Sequence, residues 1–415
     1  MYKESSAVTD SDSAVAIAKL EGYRAHLTNV AISGTYDLPE SSINLPFDEV
    51  QDIALKKAVS ALASDKLKLI IIVGIGGSSL GSYALYQARY GWADALLTRT
   101  PKLLYLDALS PAVFASVTHA IEERVQNPEE LLVLVVSKSG TTTETIVNAE
   151  ALISHLGARF GNPSVIDRVV YLADETSPLA QRAREGKWNL IHTIAAVGGR
   201  WSVFTLAHLI PLALAGINTS LLLEGAREGR ERGLIADPEE NDALTIAALR
   251  SVWEWRGFDT HNLFIFAPQC AALGAWWRQL NAESLGKDGK GMLPIVSIGS
   301  TDLHSLGQLY FGGAGHIATT FVSVEREPED LTLPSGKSFS TINRAILTGV
   351  EESYRNHSLP YAKIVLPEVN ERALGAWMQT EMLATMYHAQ LLGVSAFDQP
   401  NVEEYKIATR AHLTP

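Results

Sequence analysis

A cluster of hydroxyl side chains follows a short apolar run in this sequence. The run, Leu131 to Val136, is rich in β-branched residues and too short for a typical helix, which predicts a buried strand. A helical pattern begins at Glu144, so the hydroxyls occupy a turn between a strand and a helix N-terminus. They are Ser137, Ser139, Thr141, Thr142 and Thr143.

Such a turn favours an anion. The first backbone N–H groups of a helix lack intrahelical partners, and the helix dipole places partial positive charge there. Hydroxyl donors make the site specific for a group that accepts several hydrogen bonds, and phosphate is the obvious candidate. Helix capping is the alternative explanation, because Ser and Thr are common N-caps, although five hydroxyls exceed what capping requires.

Two polar side chains lie four residues apart in the helical segment 276–287. Gln279 and Glu283 therefore share one face of that helix, near an end that Gly286 would cap. The negative end of the helix dipole tends to raise the proton affinity of a carboxylate, which suits a general base. The alternative interpretation of Glu283 is an ordinary solvated glutamate.

Three further residues could assist such chemistry. Arg200 follows Gly198 and Gly199, so the backbone can approach a ligand and the guanidinium can stabilise developing negative charge. His304 lies in a polar segment after a predicted strand, where loops often carry function. Lys406 follows a proline-initiated helix start and is by itself expected to be exposed. No HxH, HExxH or paired-cysteine pattern occurs in the sequence, so metal catalysis has little support.

The composition restricts the classes of protein to which this chain can belong. The 415 residues, 47% of them apolar and 19% charged, suffice for two or three domains with full cores. A net charge of -12 without any basic run argues against nucleic-acid binding. The single cysteine, Cys270, forms no internal disulfide, which suits a reducing cytoplasm. The longest apolar run, Val203 to Ile217, is interrupted by His208, Pro211 and Gly216 and predicts a kinked buried helix rather than a membrane span.

Strands alternate with helices along most of the chain. Predicted strands fall at 69–73, 103–107, 131–136, 168–173, 190–194, 263–266, 295–298 and 362–366, after a polar N-terminal lead. This alternation predicts doubly wound parallel sheets. We expect two α/β domains, 47–210 and 211–415, with 1–46 packing on the second.

A glycine-rich segment, GIGGSSLG at 74–81, follows the first of these strands. Its spacing is not the GxGxxG of dinucleotide-binding folds, because position 79 is Ser79, and no ribose-binding acid completes the unit. The Walker A pattern is also absent from the sequence. Nucleotide binding is therefore not favoured.

Six separated segments resemble the phosphoglucose isomerase family, whose fold contains two sugar-isomerase (SIS) domains. In order they are GIGGSSLG, SKSGTTTET, GGRWS, QLNAESLGK, DLHSLGQL and FDQPNVEEYK, and the resemblance extends from about Phe47 to the end of the chain. It implies two doubly wound, parallel-sheet α/β subdomains and a cofactor-independent aldose–ketose isomerase acting on glucose 6-phosphate and fructose 6-phosphate. It also implies a cytoplasmic homodimer of the compact bacterial type, with an active site shared between subunits.

The resemblance implies roles for individual residues. Four hydroxyls would hold the substrate phosphate: Ser78, Ser137, Ser139 and Thr142. Gly77, Gly199 and the backbone of Lys138 would line that site. Glu283 would move a proton between C2 and C1, Arg200 would stabilise the enediolate, and Gln279 and Gln399 would orient the sugar. His304, from the neighbouring subunit, and Lys406 would assist ring opening.

Two positions depart from the family pattern. Trp201 stands where Phe or Tyr is common, and Asn401, between Gln399 and Lys406, stands where a small residue is preferred.

Two other functions fit part of the family pattern. A non-catalytic SIS-domain sensor of sugar phosphates would need the hydroxyls but not Glu283. A relaxed isomerase would also accept mannose 6-phosphate.

Overall fold

The computed structural model describes residues 2–4, 8–313 and 315–413. The strands are β1 (Tyr2–Glu4), β2 (Leu69–Val73), β3 (Lys102–Leu106), β4 (Leu131–Val136), β5 (Val169–Ala173), β6 (Asn189–His192), β7 (Thr260–Ile265), β8 (Leu293–Ile298), β9 (Ile317–Val324) and β10 (Tyr361–Leu366). The helices are α1 (Asp10–Ala18), α2 (Glu21–Ser33), α3 (Glu49–Leu62), α4 (Leu80–Tyr90), α5 (Pro111–Arg124), α6 (Thr143–Phe160), α7 (Asn162–Ile166), α8 (Pro178–Glu185), α9 (Leu206–Leu214), α10 (Thr219–Gly233), α11 (Asp242–Trp255), α12 (Ala271–Leu285), α13 (Gly307–Gly312), α14 (Phe339–Asn356), α15 (Glu371–Leu392) and α16 (Glu403–Leu413).

The chain divides into two compact units. The first unit is 34–224, and the second joins 1–33 to 225–415. The division thus lies after Glu224, whereas the sequence analysis places it at 210, and residues 34–46 belong to the first unit. The long apolar run forms α9, which contains Pro211 and packs against α3 and α4 within the first unit.

The first unit is built on five parallel strands in the order β3-β2-β4-β5-β6. Strands β2, β4 and β5 are buried along their whole length, as expected for strands covered on both faces by crossover helices. Their side chains form one core with those of α5, α6 and α8. The predicted bounds of β2 and β4 are confirmed residue for residue.

Two turns of the first unit meet where the strand order reverses. From β2 the chain passes through α4 to β3 on one side, and from β4 it passes through α6 to β5 on the other. In open α/β sheets, ligands bind in the crevice beyond the carboxyl ends of such strands. The glycine turn (74–79) follows β2 and the serine turn (137–142) follows β4, so both turns border this crevice.

The second unit has four parallel strands and one antiparallel edge strand, in the order β1-β10-β9-β7-β8. Helix α12 packs against β7, β8 and α15, and α15 packs against α11. Together the two units confirm the predicted class of two parallel-sheet α/β subdomains. Across the residues that the structure describes, no helix has the length and apolar character needed to span a membrane.

A buried ion pair connects the helices of the second unit. Arg250 on α11 donates hydrogen bonds of 2.8 and 3.0 Å to the Glu381 carboxylate on α15. The indole N–H of Trp277 on α12 donates to the same carboxylate at 3.0 Å. Because a buried charge is costly without its partners, this cluster holds α12 in one position against α11 and α15.

Two segments of the second unit differ from the sequence prediction. Strand β9 lies inside the sheet, although the sequence analysis assigns no strand to 317–324. Its threonines obscure an otherwise apolar pattern, but both are buried and bonded: Thr319 to the Tyr354 hydroxyl at 3.0 Å and Thr320 to His261 at 2.9 Å. The polar N-terminal lead contains two helices, α1 and α2, that belong to this unit.

Candidate active site

The serine turn presents hydroxyls that are not used as helix caps. Thr142 occupies the N-cap position of α6, yet its side chain makes no capping hydrogen bond. Its Oγ1 lies 3.3 Å from Oγ of Ser137, which also accepts the Gly140 N–H at 3.1 Å. Capping therefore does not explain Thr142, and the turn sets two hydroxyls side by side at the start of an 18-residue helix.

The remainder of the serine turn has a defined backbone. Gly140 has φ of +65°, and a Cβ there would lie 2.6 Å from the Leu179 nitrogen, so only glycine fits. Ser139 is exposed, and its Oγ accepts from the Thr141 hydroxyl at 3.1 Å. The carbonyl of Lys138 accepts the Asp174 N–H at 3.3 Å, which ties the turn to the end of β5. Burial lowers the pKa of the Lys138 ammonium, and the charge of Asp174 opposes that shift.

The glycine turn packs against the end of β4. A Cβ on Gly74 would lie 2.9 Å from the carbonyl oxygen of Val136, the residue before Ser137. Ser78 closes the short 3-10 turn Gly76–Ser78 and is half-buried. The structure therefore places the turns that carry Ser78 and Ser137 next to each other.

Arg200 lies on a third turn, the arginine turn (199–202), which contacts the glycine turn. A Cβ on Gly77 would lie 2.2 Å from the carbonyl carbon of Gly199 and 2.5 Å from the nitrogen of Arg200. Arg200 is itself buried, with 5% of its surface exposed. The structure thus brings together the predicted residues Gly77, Gly199 and Arg200, and a side chain at position 77 would force them apart.

Replacing Ser137 and Thr142 together by Ala tests the anion site. We expect the double variant to bind inorganic phosphate and sugar phosphates about 100-fold or more weakly, because two hydrogen bonds to a charged group are lost and each is worth about 1.5–3 kcal/mol. Titration calorimetry with inorganic phosphate measures the change. The exposed hydroxyl of Ser116 on α5 supplies the control, Ser116→Ala, whose affinity should match the parent. Unchanged phosphate affinity in the double variant would contradict the assignment.

Glu283 and Gln279 lie together on α12 in the second unit. The Gln279 amide Nε2 donates to Glu283 Oε1 at 3.0 Å, as their spacing of four residues predicts. Both side chains are half-buried, so Glu283 is not a freely solvated surface glutamate. Gly286 follows as the C-cap residue, and its N–H donates to the carbonyl of Ala282.

Lys287 joins the end of α12 to the segment that precedes Gln399. Its ammonium donates to the Ser284 carbonyl at 3.2 Å and to the carbonyl of Ser395, and it pairs with the Asp398 carboxylate at 2.9 Å. The side chain is almost fully buried. Local sequence does not predict a role for Lys287. The one signal is its position directly after the helix-capping glycine of the QLNAESLGK segment.

The other two candidate residues of the second unit lie on separate elements. His304 is exposed at the end of a 3-10 turn, Thr301–His304, after β8. The Asp302 carboxylate braces that turn by accepting the Ile298 N–H at 2.7 Å. Lys406 lies on α16, where its ammonium pairs with Glu403 at 2.6 Å. Within the described parts of the chain, no group of three or more His, Cys, Asp or Glu side chains could hold a metal ion.

Solved structures show the class to which this fold belongs. A hypothetical protein of Thermus thermophilus has a TM-score of 0.85 and 27% identity, covering 96% of this chain and 97% of the other. A glucose-6-phosphate isomerase of Chlamydia trachomatis has a TM-score of 0.82 and 20% identity, covering 99% and 87%. A tagatose-6-phosphate ketose/aldose isomerase of Escherichia coli has a TM-score of 0.53 and 14% identity, covering 89% and 96%. The fold is therefore that of the SIS-type phosphosugar isomerases.

Sequence comparison defines the family within that class. The Phosphoglucose isomerase family pattern matches residues 50–321. A glucose-6-phosphate isomerase of Lactococcus lactis subsp. cremoris is 30% identical, covering 90% of this chain and 85% of the relative. One of Leptospira biflexa is 32% identical, covering 88% and 84%. The chain belongs to the phosphoglucose isomerase family, which confirms the resemblance drawn from its six segments.

Proposed function

We propose that this chain is a glucose-6-phosphate isomerase of glycolysis and gluconeogenesis. It interconverts glucose 6-phosphate and fructose 6-phosphate through ring opening and a cis-enediolate. The observation that carries the proposal is the half-buried pair of Gln279 and Glu283 on α12, in a member of this family that also carries the hydroxyl-lined turns. A sensor of sugar phosphates would have no use for that oriented carboxylate.

The proposed site residues have separate roles. The hydroxyls of Ser78, Ser137, Ser139 and Thr142 hold the phosphate, and binding energy from this non-reacting group fixes the sugar for reaction. Glu283, held by the amide of Gln279, removes the proton from one carbon and returns it to the adjacent carbon. Arg200 stabilises the transient oxyanion. One base and one cation suffice for this chemistry, so the reaction requires neither a redox cofactor nor a metal.

Ring opening and sugar orientation involve three further residues. His304 and Lys406 exchange protons with the ring oxygen and the C1 hydroxyl, and Gln399 orients the open chain. The enzyme is a cytoplasmic homodimer, and His304 enters the active site of the neighbouring subunit. The exposed position of His304 on a braced turn supports this arrangement.

A mixing experiment tests the shared active site. His304→Ala and Glu283→Gln should each be nearly inactive alone. A mixed dimer contains one site with both defects and one site with neither, so co-refolded variants should regain activity that neither parent shows. Activity of the mixture equal to the sum of the two parents would contradict a histidine from the partner. Co-refolded parent protein controls for losses during refolding.

The activity is tested with the purified full chain and fructose 6-phosphate, with production of glucose 6-phosphate measured by a coupled dehydrogenase. We expect turnover that is the same with and without a chelator. Parallel reactions with mannose 6-phosphate identify a relaxed isomerase. Binding of fructose 6-phosphate without turnover would contradict the proposal and indicate the sensor function instead.

A further inference from the structure

His208 lies beneath the glycine turn and makes two directional bonds. It is on α9 and is fully buried. Its Nδ1 accepts the backbone N–H of Ser82 at 3.0 Å, in the first turn of α4. Since a neutral imidazole has one acceptor and one donor nitrogen, Nε2 carries the proton. Nε2 lies 3.0 Å from the carbonyl oxygen of Gly77, to which its N–H donates.

Ser202 completes the connection to the arginine turn. Its Oγ lies 2.7 Å from the carbonyl oxygen of Gly199 and 3.1 Å from that of Gly77. A hydroxyl has one proton, and the nearer acceptor, Gly199, takes it. The carbonyl of Gly77 is then left to His208, whose Nε2 is also 3.1 Å from the Ser202 oxygen.

The imidazole ring packs closely against the start of α4. A Cβ on Gly81 would lie 3.2 Å from Cε1 of His208 and 2.9 Å from a methyl group of Val203. The imidazole is therefore in contact with the start of α4 on one side and with the glycine turn on the other. Burial lowers the pKa of His208 to about 4, while its bond to Gly77 acts in the opposite direction. The ring is neutral at physiological pH.

We propose that His208 is a positioning residue of the phosphate site, an inference that rests on the function proposed above. The Gly77 carbonyl and the Ser78 N–H belong to one planar peptide unit. The hydrogen bond from His208 therefore fixes the orientation of that unit and the position of the Ser78 Cα atom, which carries the side chain. The Ser202 hydroxyl, which lies 3.1 Å from Nε2 of His208 and donates to the Gly199 carbonyl, connects the ring to the backbone next to Arg200. His208 itself touches no substrate.

Two variants separate the two bonds of the ring. In His208→Asn the amide oxygen replaces Nδ1 as the acceptor for Ser82, but the side chain is too short to reach Gly77. In His208→Gln the amide N–H replaces Nε2 as the donor to Gly77. We expect the Asn variant to raise KM for fructose 6-phosphate and the dissociation constant of inorganic phosphate about tenfold, the effect of losing roughly one hydrogen bond, with a smaller change in kcat. The Gln variant should recover much of the lost affinity.

The control is His119→Asn, which changes an exposed histidine on α5 of the same unit and should leave all constants unchanged. A merely structural His208 would lower the melting temperature in both variants while leaving phosphate affinity unchanged in the folded fraction, and that result would overturn the proposal. Calorimetry with inorganic phosphate does not depend on turnover. An inactive parent protein would therefore refute the isomerase function without deciding the role of His208.

A measurement on the unaltered protein covers the case in which the variants do not fold. Chemical shifts of ¹⁵N-labelled histidine distinguish the tautomers. We expect the resonances assigned to His208, which is one of several buried histidines, to show a proton on Nε2 and a neutral ring between pH 7 and about 5. A proton on Nδ1 of His208 would break the bond to Ser82 and overturn the proposal.

Discussion

Replacing Glu283 by Gln should reduce kcat by about 10²–10⁴-fold, the usual contribution of a positioned general base. The amide has nearly the shape of the carboxylate and can still bond to Gln279, which lies 3.0 Å away, so the geometry of α12 should be kept. Binding of fructose 6-phosphate should change little, because the hydroxyls proposed to hold the phosphate are untouched. The chemical step is lost because an amide cannot take up the C2 proton.

Two measurements separate these effects. Calorimetry with fructose 6-phosphate reports binding, and incorporation of deuterium at C2 of glucose 6-phosphate in D₂O reports proton transfer. Glu352→Gln is the matched control, because Glu352 is an exposed glutamate on α14 of the same unit. Normal exchange at C2 in the Glu283 variant would show that another group is the base.

Replacing Gly77 by Ala should have the second large effect. The added methyl group would lie 2.2 Å from the carbonyl carbon of Gly199 and 2.5 Å from the Arg200 nitrogen, and backbone atoms cannot yield as a flexible side chain can. The arginine turn must then move away from the glycine turn. We expect kcat/KM to fall by about 100-fold or more, since misplacement by roughly 1 Å is enough for that loss. The free energy of unfolding should fall by about 1–3 kcal/mol.

The control for this change is a glycine with free space. Gly22 lies in α2, where an added Cβ would meet nothing within 4 Å, so Gly22→Ala should stabilise the protein by about 0.5–1 kcal/mol. Chemical denaturation and steady-state kinetics measure both variants. A Gly77→Ala enzyme with parental kcat/KM would mean that the contact between the two turns has no part in catalysis.

Much of this fold can be predicted from local sequence. The apolar runs of β2 and β4 define strands because their side chains must leave water on both faces, and their bounds agree with the structure. The pairing of Gln279 with Glu283 follows from helical spacing alone. Local sequence does not predict strand β9, because its two threonines suggest polarity and their bonds to Tyr354 and His261 form only in the folded sheet.

The roles of His208 and Lys287 lie beyond local sequence. The apolar helix pattern correctly predicts that His208 is buried, but it carries no information about the Gly77 carbonyl that the ring contacts 131 positions earlier in the chain. Lys287 likewise bonds to Ser395, 108 residues away. Each contact depends on which side chains meet when separate elements pack.

The sequence by itself therefore determined the class of fold, the family, the hydroxyl-bearing turn and the carboxylate with its amide partner, because these depend on residue type and on spacings of a few positions. The tertiary structure decided which turns are neighbours. It packs Gly77 against Gly199 and Arg200, leaves the Thr142 side chain free of capping, and places His208 beneath the turn. The physical reason is that strand order and close packing bring together segments that lie far apart in the chain, and no local propensity specifies those contacts.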